Sequence, residues 1–264
     1  MSEGSGELTF WEHLDELRSV LIRMLLGLVV ATVGCFVMKD WLFAAILWPT
    51  TEEFPTYQLL GRIAGDLEQI SFASEPVIIN TELTGQLMAH LMTALLFAIV
   101  FACPYMIWQV AAYISPALYS NERRVMRQIL ISGTLLFYVG VLTSYFVVFP
   151  CAYRFLIDYE VSEAIQNMIS LTSYIDNLFI LCVLMGVLFE LPMVAIALCK
   201  AGIADAAMMK KYRRHAVVVI VTVAAIITPT TDIFTLLLVC MPIYLLYESS
   251  IIAVTLTTRR KREA

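Results

Sequence analysis

Long apolar stretches separated by short charged segments constrain this chain more than any other feature. Residues 87–108 contain no Asp, Glu, Lys or Arg, and neither do residues 129–149. Each stretch has the roughly 20 residues that an α-helix needs to cross a bilayer. The chain is 60% hydrophobic and only 15% charged, whereas soluble domains carry about 25% charged residues. The sequence therefore predicts a polytopic membrane protein made of helices.

Six apolar segments predict an all-α fold with six transmembrane helices in one integral membrane domain, residues 1–264. The predicted spans are about 20–48, 85–113, 125–149, 175–199, 214–229 and 233–254. The N-terminal segment 1–19 begins an amphipathic helix with a capping box of Thr9 and Glu12, and residues 255–264 form a basic tail. The fifth span has about 13 apolar residues, which cover ~20 Å of a core ~30 Å thick. Helices 5 and 6 are therefore predicted to be short.

The basic residues predict the orientation of the chain. Six spans leave both termini on one side, and that side receives all Lys and Arg residues except Lys39, Arg62 and Arg154. Because loops rich in Lys and Arg remain inside, both termini are predicted to be cytoplasmic. The first nineteen residues are acidic and lack the apolar core of a signal peptide. We therefore predict a multi-pass protein of the cytoplasmic (inner) membrane.

Several functional classes find no support in the sequence. It contains no phosphate-binding glycine loop, no H-E-x-x-H and no G-x-S-x-G. The six cysteines are scattered singly and the three histidines lie far apart, so neither set has metal-ligand spacing. The net charge is −5 and the basic residues are not pooled in one patch. We predict no catalytic residues, no metal, no cofactor and no nucleic-acid partner.

A short polar segment, Gln109–Arg124 (QVAAYISPALYSNERR), joins the second and third predicted spans. Ser115-Pro116 predicts the end of a helix, and Glu122 is followed directly by Arg123 and Arg124. Two interpretations are open. The segment is either a basic loop that only sets the topology, or a rigid loop that holds a ligand between two membrane spans.

Two acids on the predicted cytoplasmic side lack a local cation. On a helix, Glu16 and Glu122 have no basic residue three or four positions later, whereas Asp15 has Arg18 three positions later. Two carboxylates without local partners are suited to receiving an external cation. The alternative is that both are solvated surface acids.

Glu190 lies inside the fourth predicted span, in the sequence GVLFELPMV, two residues before Pro192. An ionisable residue at membrane depth is costly and normally faces a cavity or a partner. The proline bends the helix and frees a backbone carbonyl. Glu190 therefore has either a functional role or a purely structural bond to a neighbouring helix. The TPTTD sequence at 228–232 predicts a tight turn between the last two spans.

Taken together, the motifs resemble the TatC family, the polytopic receptor subunit of the twin-arginine protein translocase. The matching pieces fall in order over nearly the whole chain: HLDELR (13–18), FACPYMIWQVAAYISPALYSNERR (101–124), FY with a following glycine (137–140), FELP (189–192), KKYRRHAVV (210–218), TPTTD (228–232) and MPIYLLYE (241–248).

This resemblance implies a receptor for twin-arginine signal peptides and the core of a Sec-independent translocase that exports folded proteins. In the family, the acids at Glu16 and Glu122 contact the signal peptide. The same region includes Arg18, Gln109, Tyr113, Pro116, Leu118, Tyr119 and Arg123. A concave bundle face toward single-span TatA- and TatB-type partners includes Glu190, Pro192, Thr228, Pro229 and Asp232. The resemblance also implies a homo-oligomer within the receptor complex and export driven by the proton motive force.

Three positions depart from the family pattern. The second basic residue of R-x-R is absent from Arg18-Ser19-Val20, the W-x-F tripeptide is Ala111-Ala112-Tyr113, and the TPPD turn is one residue longer at 228–232. Arginine presents a planar fork that pairs with a carboxylate in two places, and consecutive arginines on an extended peptide point to opposite sides. We therefore predict that Glu16 and Glu122 each take one arginine.

Two other classes remain as alternatives. A proton-coupled secondary transporter for small molecules would use Glu190, but such folds show repeated halves with paired helix interruptions, and the Glu-x-Pro of the fourth span has no counterpart in the first three. An intramembrane enzyme is the third class. The lack of a recognisable nucleophile, base or metal-ligand set opposes it.

Overall fold

The computed structural model describes residues 10–64, 78–114, 123–159, 168–200, 205–228 and 232–263. The helices are α1 (Phe10–Val37), α2 (Lys39–Leu47), α3 (Pro55–Ala64), α4 (Gly85–Ile114), α5 (Arg123–Thr143), α6 (Phe149–Asp158), α7 (Leu171–Leu188), α8 (Leu191–Lys200), α9 (Ala206–Lys211), α10 (Arg213–Ile227) and α11 (Ile233–Glu263). Two short strands, β1 (Ile78–Ile79) and β2 (Ile169–Ser170), pair in parallel.

Five helical segments among the described residues are long and apolar enough to cross a membrane. They comprise residues 14–37, 85–110, 130–158, 171–199 and 233–256. Helix α10 has 15 residues and covers only ~22 Å of a core ~30 Å thick. The predicted all-α membrane fold is confirmed. The predicted fifth span is the one that falls short of a full crossing.

The helices form an antiparallel bundle with two distinct ends. Helix α1 packs along α4, α7 packs against both α4 and α5, and α11 packs against α8 and α10. We call the end at which α1 begins and α11 ends the terminal face. The opposite face carries α2, α3 and α6. Helix α7 lies in the core, where Tyr174, Leu178 and Met185 are almost completely buried.

Glycines allow α5 and α7 to approach closely. A β-carbon added at Gly140 would lie 2.6 Å from the Met185 carbonyl oxygen, and one added at Gly186 would lie 2.7 Å from the Phe137 ring. Real β-carbons do not approach other atoms this closely. The close packing of α5 on α7 therefore depends on these two glycines.

At the opposite face, tyrosine hydroxyl groups donate hydrogen bonds to backbone carbonyls of neighbouring segments. The buried Tyr174 hydroxyl donates to the Ile46 carbonyl over 2.7 Å, and the Tyr57 hydroxyl lies 3.0 Å from the Pro49 carbonyl oxygen. The Tyr145 hydroxyl donates to the carbonyl of Ala45. Burial raises the pKa of the Tyr57 phenol, so this group remains a neutral donor at physiological pH. These bonds hold α2 and α3 against the ends of the spans.

The first and third predicted spans differ from the observed helices. The first breaks at Met38, whose backbone angles (φ −92°, ψ 39°) are not helical. The third is predicted to end at residue 149, but the helical chain continues through a π-helical turn at Ser144–Val148 to Asp158. Pro150 is the second residue of α6, where the first turn of a helix tolerates a missing N–H.

The fourth and sixth predicted spans also differ in detail. The fourth begins earlier, at Leu171, and is interrupted at Phe189 and Glu190 before α8. The sixth continues as one helix of 31 residues to Glu263. It is therefore longer than the short helix that the sequence suggested, and residues of the predicted basic tail belong to it.

Candidate functional site

Close to the terminal face, Tyr105 of α4 contacts α1 and aligns the two helices. The Tyr105 hydroxyl donates to the Arg23 carbonyl over 3.3 Å. A β-carbon added at Gly27 would lie 2.6 Å from Tyr105 Cε1. Gly27 therefore makes room for the Tyr105 ring, and this contact fixes which residues of α1 and α4 lie at the same level.

Glu16 lies on the side of α1 that faces α4. It precedes Val20 by four residues and Gly27 by eleven, a spacing that places all three on one helical face. Val20 is only 6% exposed and Glu16 is half-buried, whereas Asp15 and Arg18 are exposed. The structure thus separates Glu16 from the neighbouring charges of the same helix.

The end of α4 reaches the level of Glu16. Because the helices are antiparallel and rise ~1.5 Å per residue, Tyr113 lies ~12 Å beyond Tyr105, and Glu16 lies ~10 Å beyond Arg23 in the same direction. Tyr113 is half-buried and Gln109 is 6% exposed. Glu16, Tyr113 and Gln109 are therefore brought to one region of the terminal face.

The remaining predicted residues of this site fall at or beyond the edges of the described chain. Pro116, Leu118, Tyr119 and Glu122 lie outside the described residues, and so does the side chain of Arg123. The segment that contains them leaves α4 at Ile114 and returns at the start of α5. Helix α5 is anchored on α4, since the Tyr138 hydroxyl donates to the Val100 carbonyl over 3.1 Å.

Glu190 occupies the interruption between α7 and α8. Its backbone carbonyl accepts from Val194 N over 3.0 Å, which starts α8. A β-carbon added at Gly133 would lie 2.8 Å from Glu190 Oε2, so the carboxyl group lies against α5. Among the described residues, Glu190 Oε1 is buried and has no hydrogen-bond partner. Glu190 therefore lies inside the bundle, and one of its carboxyl oxygens makes no hydrogen bond to a described residue.

Residues of the TPTTD turn cap the helices that it joins. The Thr228 hydroxyl donates to the Ala224 carbonyl over 3.0 Å at the end of α10. Asp232 Oδ1 accepts from Thr235 N over 2.6 Å at the start of α11, as an N-cap residue does. Pro192 is buried at the start of α8, and Pro229 lies outside the described residues. Thr228 and Asp232 thus have a local structural role.

An ion pair that the sequence analysis missed links α10 to α11. Arg213 Nη2 lies 2.6 Å from Glu248 Oε2, and the Tyr244 hydroxyl lies 3.2 Å from Glu248 Oε1. The Tyr247 hydroxyl also donates to the Met209 carbonyl over 2.7 Å. Both charged residues lie in motifs quoted above, but 35 positions separate them, so no local pattern showed the pair.

We expect the Arg213→Ala substitution to have a small effect on stability. The Arg213 side chain is about half exposed (47%), and exposed ion pairs contribute about 1 kcal/mol or less. Thermal unfolding of the purified protein should show a Tm drop of a few degrees at most. The exchange Arg213→Glu with Glu248→Arg should recover part of it. A collapse of the folded protein on Arg213→Ala alone would contradict this estimate.

These features define a polytopic, mainly helical membrane protein with the half-buried Glu16 at its terminal face and Glu190 inside the bundle, at an interruption of a membrane span. The family model described as Sec-independent protein translocase protein (TatC) matches residues 12–242. The chain belongs to the TatC family.

Known relatives cover nearly the full length. The Sec-independent protein translocase protein TatC of Blattabacterium is 30% identical, over 95% of this chain and 96% of its own. That of Escherichia coli K12 is 28% identical, over 89% of this chain and 84% of its own. A crystal structure of the twin-arginine translocase receptor TatC matches with a TM-score of 0.76 and 29% identity, over 94% of this chain and 100% of that one. The comparisons give no support to the secondary-transporter alternative.

Proposed function

We propose that this chain is the twin-arginine signal-peptide receptor and the core of a Sec-independent translocase that exports folded proteins across the inner membrane. In this proposal the terminal face is cytoplasmic, because most Lys and Arg residues belong to the N-terminal segment, the C-terminal segment and the loops that connect the helices at that end. The observation that carries it is the position of Glu16 on the α4-facing side of α1, level with Tyr113. Its role is recognition and transport, without catalysis or a cofactor.

The chemistry of arginine explains why Glu16 suits a signal peptide. A half-buried carboxylate at the membrane edge is partly desolvated, which strengthens a bidentate pair with a guanidinium. Lysine offers only a point charge and gains less from this geometry. The second arginine of an extended peptide points away from the first. It therefore needs a second acid, and Glu122 is the candidate because it immediately precedes α5.

The assignment of Glu122 can be tested by site-specific cross-linking. A photoreactive twin-arginine peptide should label the wild-type protein, and the Glu122→Gln variant should give a sharply lower yield. Glu53→Gln is a matched control, since Glu53 is an exposed acid on the opposite face. Normal yield with Glu122→Gln would remove this residue from the site.

For Glu190 we propose a polar contact with a single-span partner of the TatA or TatB type. The support is the buried Oε1 atom that no described residue satisfies, together with the short α10 next to α11. A helix that covers less than the full core thins the membrane locally. A polar group close to a thinned part of the membrane can form a hydrogen bond with a transmembrane helix of the partner. Several copies of the receptor would then assemble around the partner helices.

We expect Glu190→Ala to abolish most export while Glu190→Gln retains part of it, because the amide keeps hydrogen-bonding capacity. The measurement is transport of a folded reporter into the extracytoplasmic compartment, with cross-linking of the single-span partner as a second readout. Val194→Ala is the control, since Val194 is an exposed apolar residue one turn away. Normal export and unchanged partner contacts with Glu190→Ala would leave Glu190 a structural role only.

A further inference from the structure

Three exposed cations lie where α9 meets α10, toward the terminal face. Lys210 and Lys211 end α9, and Arg214 is the second residue of α10. All three side chains are exposed. None of them forms an ion pair with a described residue, whereas the neighbouring Arg213 is paired with Glu248. The junction of the two helices therefore carries three positive charges without a paired acid.

Contacts with α11 fix the depth of this junction. Arg213 Nη2 lies 2.6 Å from Glu248 Oε2, and the Tyr247 hydroxyl donates to the Met209 carbonyl over 2.7 Å. The apolar segment of α11 ends at Leu256, eight residues or ~12 Å beyond Glu248. The three cations therefore lie beside the last apolar turns of α11, at the depth of the membrane interface.

Arg214 shares one side of α10 with exposed apolar residues. Val218 and Val221 follow it by four and seven residues, a spacing that places all three on one helical face. The two valines are 65% and 41% exposed. Tyr212, one residue before α10, is 45% exposed, and Lys211 Nζ lies 6.0 Å from the centre of its ring. Cations and an aromatic ring at the end of an apolar face are typical of a surface that contacts lipid at the membrane interface.

We propose that this surface binds an anionic phospholipid from the leaflet at the terminal face. We call it the basic junction, and it consists of Lys210, Lys211, Arg214, Val218 and Val221. The lipid phosphate accepts hydrogen bonds from the three cations, and an acyl chain packs along the two valines. A soluble anion would contact only the cations, and an apolar helix would contact only the valines. An anionic phospholipid has the chemistry for both parts of the surface.

The bound lipid gives the short α10 a role of its own in shaping the membrane. Helix α10 has 15 residues and covers only ~22 Å of a core ~30 Å thick. Headgroups that bind at its first turn remain at the level of that turn, so they keep the leaflet thin beside α10. This inference goes beyond the proposed receptor function and does not depend on whether Glu16 binds arginine.

The first test compares two lipids that differ in the charge of the headgroup. Phosphatidylglycerol or phosphatidylcholine with the same acyl chains is added to the purified full-length protein in detergent, and bound lipid is counted by native mass spectrometry. Each basic residue near an anionic headgroup contributes roughly fivefold in affinity. We therefore expect phosphatidylglycerol to bind at least tenfold more tightly than phosphatidylcholine. Equal binding of the two lipids would overturn the proposal.

Variants assign the preference to the basic junction. The test variant combines Lys210→Gln, Lys211→Gln and Arg214→Gln. Its preference for phosphatidylglycerol should fall at least tenfold, while its Tm without lipid should remain that of the wild-type protein, because the three side chains are exposed.

A matched control removes the same charge farther along α11. It combines Arg259→Gln, Arg260→Gln and Lys261→Gln. These positions begin eleven residues, or ~16 Å, beyond Glu248 on the same helix, so the control should keep most of the preference for phosphatidylglycerol. An unchanged preference in the test variant, or an equal loss in both variants, would overturn the proposal.

A transmembrane helix of a partner protein is the competing occupant, and a cross-linker distinguishes the two. A photoreactive residue placed at Val218, which is exposed on the apolar side of the basic junction, should label phospholipid in native membranes. Labelling of a membrane protein in place of phospholipid would overturn the lipid assignment. Peptide binding at Glu16 is measured separately, so a failure of the receptor function would leave this outcome unchanged.

Discussion

Replacing Glu16 with glutamine is expected to weaken the binding of a twin-arginine signal peptide by roughly thirtyfold or more. Removing one partner of a partly desolvated, hydrogen-bonded charge pair costs about 2–5 kcal/mol. Glu16 is half-buried on the face of α1 that packs on α4, so a guanidinium bound there loses much of its water. Glutamine keeps the shape and the volume of the side chain but removes the charge.

The measurement is equilibrium binding of a labelled signal peptide to the purified variant. Asp15→Asn is the matched control, because Asp15 is adjacent in sequence, also acidic, and exposed on another face of α1. It should change the affinity by less than about threefold, as an exposed charge does. Equal losses for both variants would show that the peptide responds to the overall charge of the N-terminal segment and not to Glu16.

Replacing Gly140 with alanine is expected to destabilise the protein more than the same replacement at Gly34 or Gly133. The new β-carbon would lie 2.6 Å from the Met185 carbonyl oxygen and 2.8 Å from Phe189 Cγ. The carbonyl belongs to the backbone of α7 and cannot rotate away. Overpacking of this kind costs about 1–3 kcal/mol, so we expect a large fall in Tm and in the yield of folded protein.

Alanine substitutions at two other glycines provide a scale of expected effects for comparison with Gly140→Ala. Gly34 has no atom within 4 Å of an added β-carbon, so Gly34→Ala should leave Tm unchanged or raise it, because alanine favours the helix. Gly133→Ala should be intermediate, since the nearest atom is the end of the flexible Glu190 side chain. Equal effects of Gly140→Ala and Gly34→Ala would mean that α5 and α7 do not approach as closely as described.

The sequence predicted the all-α membrane fold and the positions of five long helices because a bilayer-length apolar stretch leaves a strong local signal, whereas the fifth predicted span corresponds to the short α10. It did not predict the break at Met38 or the π-helical turn at Ser144–Val148. Those features accompany contacts between distant residues, such as the bond from Tyr174 to Ile46, which are 128 positions apart. The third span was predicted to end at residue 149 because the sequence alone does not show that α6 continues from Phe149.

The candidate site was predictable in part for the same reason. The absence of a local cation near Glu16 is visible in the sequence, and so is the helix interruption at Glu190. The partners across helices are not, since the contact of Gly27 with Tyr105 and that of Gly133 with Glu190 depend on how the helices pack. The family resemblance supplied the roles of these residues, and those roles remain proposals.

The most direct test of the receptor function compares two signal peptides that differ only in their arginine pair. The purified full-length protein is incubated with a tagged twin-arginine peptide or with its twin-lysine counterpart, and the bound fraction is measured after affinity capture. We predict that the arginine peptide is retained by the wild-type protein, and that the lysine peptide is retained at least tenfold less, because lysine lacks the planar fork. Equal retention of the two peptides would contradict the proposal that carboxylates of this chain recognise the arginine pair.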